Sequence, residues 1–236
     1  MSLLSTRGLS RSFAGLRAVH EVDFDLPEGE IRALIGPNGA GKTTFVSLLC
    51  GRILPTSGQV FFDGRDISAL PAHRRIGLGM AYTFQITSVF SRLSAYENVA
   101  LAARRRVHGR AEVERVVMRA LEQAGLHDRP DQPAGDLSYG HQRLLEIAMG
   151  LAQAPRLLIL DEPTQGLSDG EVAAFKALIR GLKDNTTILL IEHNMSVVME
   201  TADRVTVLNF GEILAEGTPA EIHANAEVQA AYLGTG

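Results

Sequence analysis

Cysteine is nearly absent from this 236-residue chain: Cys50 stands alone, which excludes an internal disulfide framework and a multi-cysteine metal site and leaves it reading as a small core residue. Long apolar runs are missing as well. The most hydrophobic stretches, residues 157–160 and 188–191, are four residues long, against the ~18 that a membrane-spanning helix needs. The opening MSLLSTRGLS has no basic segment leading into an apolar region, so no secretory signal is read and the chain is expected in the cytosol. Neither charge dominates. With 23 Lys and Arg against 27 Asp and Glu the net charge is −4, which argues against nucleic acid as a partner. Arg104, Arg105 and Arg106 form the dense basic run, expected to be a solvated helix end, with membrane-side contact as the minority reading. Repeats, low-complexity tracts and long linkers are lacking too. What is present is 45% hydrophobic and 21% charged residues, enough for one globular unit with a proper core.

The pattern along the chain predicts α/β organisation. Ile31–Ile35 reads as a buried strand, followed by glycine-rich GPNGAGKTT and a helical FVSLLC. Residues 60–62 before Asp63-Gly64 read as a strand entering a hairpin. The middle is helical. In AEVERVVMRALEQAGL, Val113, Val116, Val117, Ala120, Leu121 and Ala124 recur at three- and four-residue steps, and Gly125 falls where a left-handed C-cap belongs. Another helix is expected after Ser138, stopping before Pro155. The last third alternates strand 157–160, a helix with Val172, Phe175, Leu178, Ile179 and Leu182 on one face, and strand 187–191. Ser168 and Glu171 fit a capping box for that helix, and VTVL with EILAEG predicts a closing hairpin. The expected division is an α/β core over 1–85 and about 151–236, containing an antiparallel β part, with an inserted helical subdomain over about 86–150.

Gly36, Pro37, Asn38, Gly39, Ala40, Gly41, Lys42 and Thr43 form GxxxxGK[ST], the Walker A phosphate loop, with Thr44 beside it. Its glycines let the backbone curl so that several N–H groups face one phosphate at a helix N-terminus. Lys42 is expected to reach the β- and γ-phosphates, and Thr43 to ligate Mg²⁺ through its hydroxyl. The strand 157–160 runs into Asp161 and Glu162, two carboxylates where a strand's C-terminal edge meets a ligand crevice. Asp161 is expected to hold Mg²⁺ through its water shell. Glu162 is expected to polarise the attacking water, help of a kind worth ~10²- to 10⁴-fold in rate.

The segment LSYGHQ, 137–142, resembles the signature motif of ATP-binding cassette (ABC) ATPases, and Ser138 precedes Asp161 by 23 residues, as in that family. The resemblance implies a P-loop ABC ATPase fold, ATP and Mg²⁺, and a head-to-tail pair of chains, homodimer or heterodimer, whose two ATP molecules are each capped by the partner's Ser138 and Gly140. Gln85 resembles the Q-loop glutamine that touches Mg²⁺ and senses the transmembrane partner. His193 resembles the switch histidine at the γ-phosphate, and Phe13 the aromatic stacked on adenine. Departures are Tyr139 and His141 where glycine and glutamine are usual, Gln165-Gly166-Leu167-Ser168 in place of the usual D-loop, with Asp169 one position late, and Asn194 where aspartate is frequent.

TFQITSVFSRLSAYENVALA, LSYGHQRLLEIAMGLA, NTTILLIEHNMSVVME and NAEVQAAYLG are similar to ATP-binding subunits of branched-chain amino-acid importers, although residues 100–130 are shorter than in the best-known members. The resemblance implies a peripheral subunit on the cytoplasmic face of the membrane. It contacts transmembrane permease subunits through the Q-loop region, roughly 85–97, and an extracytoplasmic solute-binding protein only indirectly. Alternatives left open are an ABC ATPase for urea, amides or another small solute, a lipid exporter, and a soluble ABC ATPase without a transport role. A small-molecule P-loop kinase would not explain Ser138, Gly140 and His193 at their spacings.

Overall fold

A computed structural model describes residues 2–83 and 88–233 of the protein. Strands β1 (Ser2–Phe13), β2 (Leu16–Pro27), β4 (Ser57–Phe62) and β5 (Arg65–Asp66) form an antiparallel sheet in the order β2-β1-β4-β5. The expected turn joins β4 to β5: Asp63 and Gly64 have φ of 52° and 72°, the left-handed pair that a tight hairpin between right-twisted strands requires.

A second, six-stranded sheet runs β10-β9-β3-β8-β7-β6, built from β3 (Ile31–Ile35), β6 (Met80–Thr83), β7 (Leu157–Asp161), β8 (Thr187–Ile191), β9 (Arg204–Asn209) and β10 (Glu212–Gly217). Its neighbours are parallel except at the β9–β10 hairpin. Both faces are covered, which is why residues 157–160 show no polar alternation. Leu157 and Ile159 join the cluster shared with the antiparallel sheet, while Leu158 and Leu160 pack towards the helices.

Helix α1 (Lys42–Leu49) fills the space between the sheets, with Phe45 edge-on to Phe24 of β2 at 5.6 Å. Its C-terminal end is closed by Arg75 of α2 (Ala72–Gly77). That guanidinium is buried and donates to the carbonyls of Leu48 (2.7 Å), Leu49 (2.8 Å), Leu70 (2.8 Å) and Ser68 (3.1 Å). Orphan carbonyls at the negative end of a helix dipole are what a cation satisfies best. Burial still draws the Arg75 pKa down, to about 10. Cys50 beside it is buried, as expected of a core residue, and burial pushes its thiol up to about 12.

Helices α3 (Ala95–Ala103), α4 (Arg110–Gln123) and α5 (Tyr139–Leu151) pack together over one end of the core sheet. Val113, Val117, Ala120 and Leu121 form the buried face of α4, and Gly125 follows with φ 71°. Arg104–Arg106 are exposed at the end of α3, a solvated helix end where cations face the negative pole of the dipole. Helix α6 (Asp169–Leu182) begins with the expected Ser168–Glu171 capping box and buries Phe175, Ile179 and Leu182. Helices α7 (Met195–Thr201), α8 (Pro219–Ala224) and α9 (Ala226–Leu233) cover β3 and β9 through Val198, Ile222 and Val228. The fold is α/β, a mixed core sheet with an antiparallel β part and a group of helices beside it.

Candidate functional site

The phosphate loop is fixed by close backbone contacts. Chain leaving β3 turns at Gly36 and enters α1 after Gly41; Gly36, Gly39 and Gly41 have φ of 150°, 80° and 99°. A β-carbon on Gly36 would lie 2.1 Å from the Leu208 carbonyl oxygen, and one on Gly41 2.3 Å from that of Ala18. No side chain fits at either position. The Lys42 ammonium donates to the carbonyls of Gly36 (2.6 Å) and Pro37 (3.0 Å), so the loop itself orients it. Burial lowers its pKa from the ordinary value, opposed by the charges of Glu162 and Asp161.

These residues open onto a cavity of about 450 Å³ lined by 38–44 and Glu162. Leu16, Arg17, Ala18 and Phe210 complete its wall. Sequence reasoning missed that wall. Phe210 sits at the β9–β10 turn with φ 47° and is 82% exposed, an aromatic held out to solvent by a left-handed turn. Phe13 is placed differently: it ends β1, half-exposed, with the Arg11 guanidinium 4.6 Å from its ring centroid, and it is not among the cavity-lining residues.

The carboxylates come from the C-terminal edge of β7. Asp161, its last residue, is buried and accepts a hydrogen bond from the Tyr82 hydroxyl at 2.8 Å. Burial raises the Asp161 pKa above the ordinary carboxylate range, and the Tyr82 hydrogen bond acts against that rise. Glu162 follows with φ 48°, a left-handed conformation costly for a residue with a β-carbon, and its N–H donates to the Ile191 carbonyl at 2.9 Å. This abrupt turn delivers Glu162 to the cavity. His193 lies on the other side, its Nδ1 4.0 Å from Glu162 Oε1.

Glu192, absent from the sequence-based candidates, organises this edge. It is buried and accepts from the Thr164 N–H (3.0 Å) and hydroxyl (2.5 Å) through one oxygen, and from the N–H groups of His193 and Asn194 (3.1 Å each) through the other. It thereby joins the loop after β7 to the segment carrying His193. Asn194 in turn caps α7, accepting from the N–H groups of Ser196 (3.1 Å) and Val197 (3.4 Å), a task an amide oxygen performs as well as a carboxylate.

Ser138 caps α5, accepting from the His141 N–H at 3.2 Å. Neither Ser138 nor buried Gly140 is among the residues lining the phosphate-loop cavity. The structure thus brings residues 38–44 and Glu162 to one cavity, with His193 beside Glu162 and Asp161 preceding it, while Ser138 and Gly140 do not line that cavity. Gln85 lies outside the described residues. Among the described residues no group of three or more His, Cys, Asp or Glu gathers as a metal cage. Two oxygen donors, the Thr43 hydroxyl and the Asp161 carboxylate, suit a hard cation that keeps several waters rather than one enclosed by protein.

A phosphate loop feeding a helix, paired with a carboxylate-ended parallel strand and a second helix N-terminus outside the cavity, defines a nucleotide-binding ATPase cassette. The chain belongs to the ABC transporter family, whose description matches residues 19–165. Residues 212–236 match a second description, "Branched-chain amino acid ATP-binding cassette transporter". It is 41% identical to the high-affinity branched-chain amino acid transport ATP-binding protein LivG of Salmonella typhimurium and 40% to BraF of Pseudomonas aeruginosa, with 98% of each chain covered. The lipopolysaccharide export system ATP-binding protein LptB of Escherichia coli is 34% identical over 99% of this chain and 98% of its own. Among solved structures, the ADP conformation of MJ1267, an ATP-binding cassette of an ABC transporter, superposes with a TM-score of 0.90 at 25% identity, covering 99% of both chains. No helix among the described residues is long and apolar enough to cross a membrane.

Proposed function

We propose that this chain is the ATP-hydrolysing subunit of a branched-chain amino-acid importer and acts as one half of a two-chain ATP sandwich. The observation that carries this reading is the separation of the two anion sites: the Walker loop and Glu162 share a cavity whose lining does not include Ser138 and Gly140. A second chain, identical or homologous, supplies the missing donors. The solute rests on the relatives. Identity to the branched-chain amino-acid proteins exceeds that to the lipopolysaccharide exporter, and the C-terminal residues match the branched-chain description.

In this reading the N–H groups of Gly36 and residues 38–41 cradle the phosphates, Lys42 leaves its loop carbonyls for the β- and γ-phosphates, and Thr44 stands beside them. Thr43, Asp161 and Gln85 would hold Mg²⁺, which would supply positive charge against the phosphates. Glu162 takes a proton from the attacking water, and His193 contacts the γ-phosphate. Phe210 and Leu16 give the base an apolar wall; for Phe13 to serve as the adenine platform, its ring must leave Arg11. Residues 1–85 and about 151–236 act as the nucleotide-binding core and 86–150 as the helical subdomain. Closure of the pair is passed to permease subunits at 85–97, with the solute-binding protein engaged on the far side and the chain held peripherally at the cytoplasmic face. Nucleic acid has no part.

The test is Glu162→Gln. It preserves side-chain volume and removes the base, so ATP binding persists and an ATP-bound dimer accumulates on size-exclusion chromatography. A variant that turns ATP over at the native rate rejects Glu162 as the base.

A further inference from the structure

The signature segment and the start of α6 are fastened to each other within one chain. The Ser138 hydroxyl donates to Glu171 Oε1 at 3.2 Å, while Glu171 Oε2 accepts from the Ser168 N–H (2.9 Å) and hydroxyl (2.8 Å). The carboxylate lies directly on Gly140: a β-carbon there would be 2.1 Å from Oε1 and 2.6 Å from Oε2. A reciprocal contact stands alongside. The Tyr139 ring rests on Gly166, where a β-carbon would come within 3.0 Å of its edge, and the Arg143 guanidinium lies 5.6 Å from the ring centroid. Bare Gly140 leaves room for the Glu171 carboxylate, and bare Gly166 leaves room for the Tyr139 ring.

Ser138 and Gly140 are the donors that the two-chain reading assigns to the facing nucleotide's terminal phosphate, and a carboxylate already lies against both. We propose that Glu171 is an internal competitor at this second anion site: its carboxylate holds the place that the facing chain's γ-phosphate takes, and must withdraw before two chains close. The inference rests on the two-chain reading. Hydrogen bonds from Ser168, and more weakly from Ser138, keep the Glu171 carboxyl below its usual range, so at neutral pH it is an anion competing with an anion. Withdrawal gives up the Ser168 contacts to Oε2, but the Ser168 hydroxyl still accepts from the Glu171 N–H at 3.4 Å, so that half of the capping box persists. The freed Ser138 hydroxyl has His141 Nδ1 at 2.8 Å as an alternative neighbour until phosphate arrives.

The experiment titrates ATP against dimer formation, read by light scattering, in the Glu162→Gln background. Glu171→Gln removes the charge yet keeps the capping box, since glutamine serves at that position as glutamate does. Half-maximal dimerisation is expected at about tenfold lower ATP, the scale of losing one nearby repulsive charge in a partly solvated cleft. The melting temperature and the binding of ADP to the monomer stay unchanged. Glu171→Ala is expected to lower the ATP requirement too, despite a lower melting temperature. If Glu171 merely caps α6, Glu171→Gln matches its parent and only Glu171→Ala differs, which overturns the proposal; an increased ATP requirement in Glu171→Gln does so as well. Failure of Glu162→Gln alone to dimerise at any ATP concentration removes the two-chain reading, and this inference with it.

Discussion

Replacing Glu192 by glutamine tests whether the edge of the site is held by one buried carboxylate. Its two oxygens receive four hydrogen bonds, from Thr164 on one side and from His193 and Asn194 on the other. Glutamine has one oxygen. Turned towards His193 and Asn194, it presents its amino group to Thr164, where the hydroxyl can accept but the buried N–H is left unpaired. Hydrogen bonds to a charged group contribute about 1.5–3 kcal/mol each, and an orphaned buried donor costs about 1–3 kcal/mol. Release from burying a charge offsets part of that loss. A net destabilisation of about 2–4 kcal/mol follows, which for a chain of this size lowers the melting temperature by about 4–16 °C. Because the main chain at His193 loses its anchor, kcat should fall about 10²-fold, the usual result of a misplacement near 1 Å. The phosphate loop is untouched, so ADP affinity should stay within about threefold, less than 1 kcal/mol. Differential scanning fluorimetry, steady-state phosphate release and an ADP titration measure the three quantities. A variant with native melting temperature and kcat would refute the reasoning.

Lys42→Ala removes the ammonium that the loop orients and should abolish measurable ATP binding in an equilibrium titration. In the wild type the same ammonium is pulled below its ordinary 10.5, so ATP affinity should decline as the pH is raised towards that value and recover on return. Ser138→Arg should leave nucleotide binding by the single chain intact and eliminate phosphate release, because the obstruction lies at the chain–chain site and outside the loop cavity. Tyr82→Phe deletes the hydrogen bond that opposes the burial-driven rise of the Asp161 pKa. Protonation of Asp161 then begins at higher pH, so the acidic limb of the hydrolysis profile should move upwards; an unmoved limb would separate Tyr82 from Asp161 function.

Local chemistry was legible and long-range pairing was not. The apolar stripe of α4, the turn at Asp63-Gly64 and the capping box at Ser168 are specified by neighbours a few residues apart, so the chain states them directly. The placing of β3 between β8 and β9 is a choice among similar apolar strands that no local pattern encodes. The loop 36–44, Asp161 and Glu162 were readable because their motif constrains chemistry and spacing together. Glu192, Tyr82 and Arg75 were not. Each is an ordinary residue type whose partner is distant in sequence: Thr164 for Glu192, Asp161 for Tyr82, and the end of α1 for Arg75. Arg75 is the plainest case, a guanidinium that composition assigns to the surface and that the carbonyls of Leu48 and Leu49 draw inside.

The bare α-carbons of Gly36 and Gly41 have a mechanical meaning. One abuts the carbonyl oxygen of Leu208 in the parallel layer and the other that of Ala18 in the antiparallel layer, so the loop works as a wedge seated between two plates. Any movement of the loop at these two glycines must therefore be accommodated by β2 at Ala18 and by β9 at Leu208.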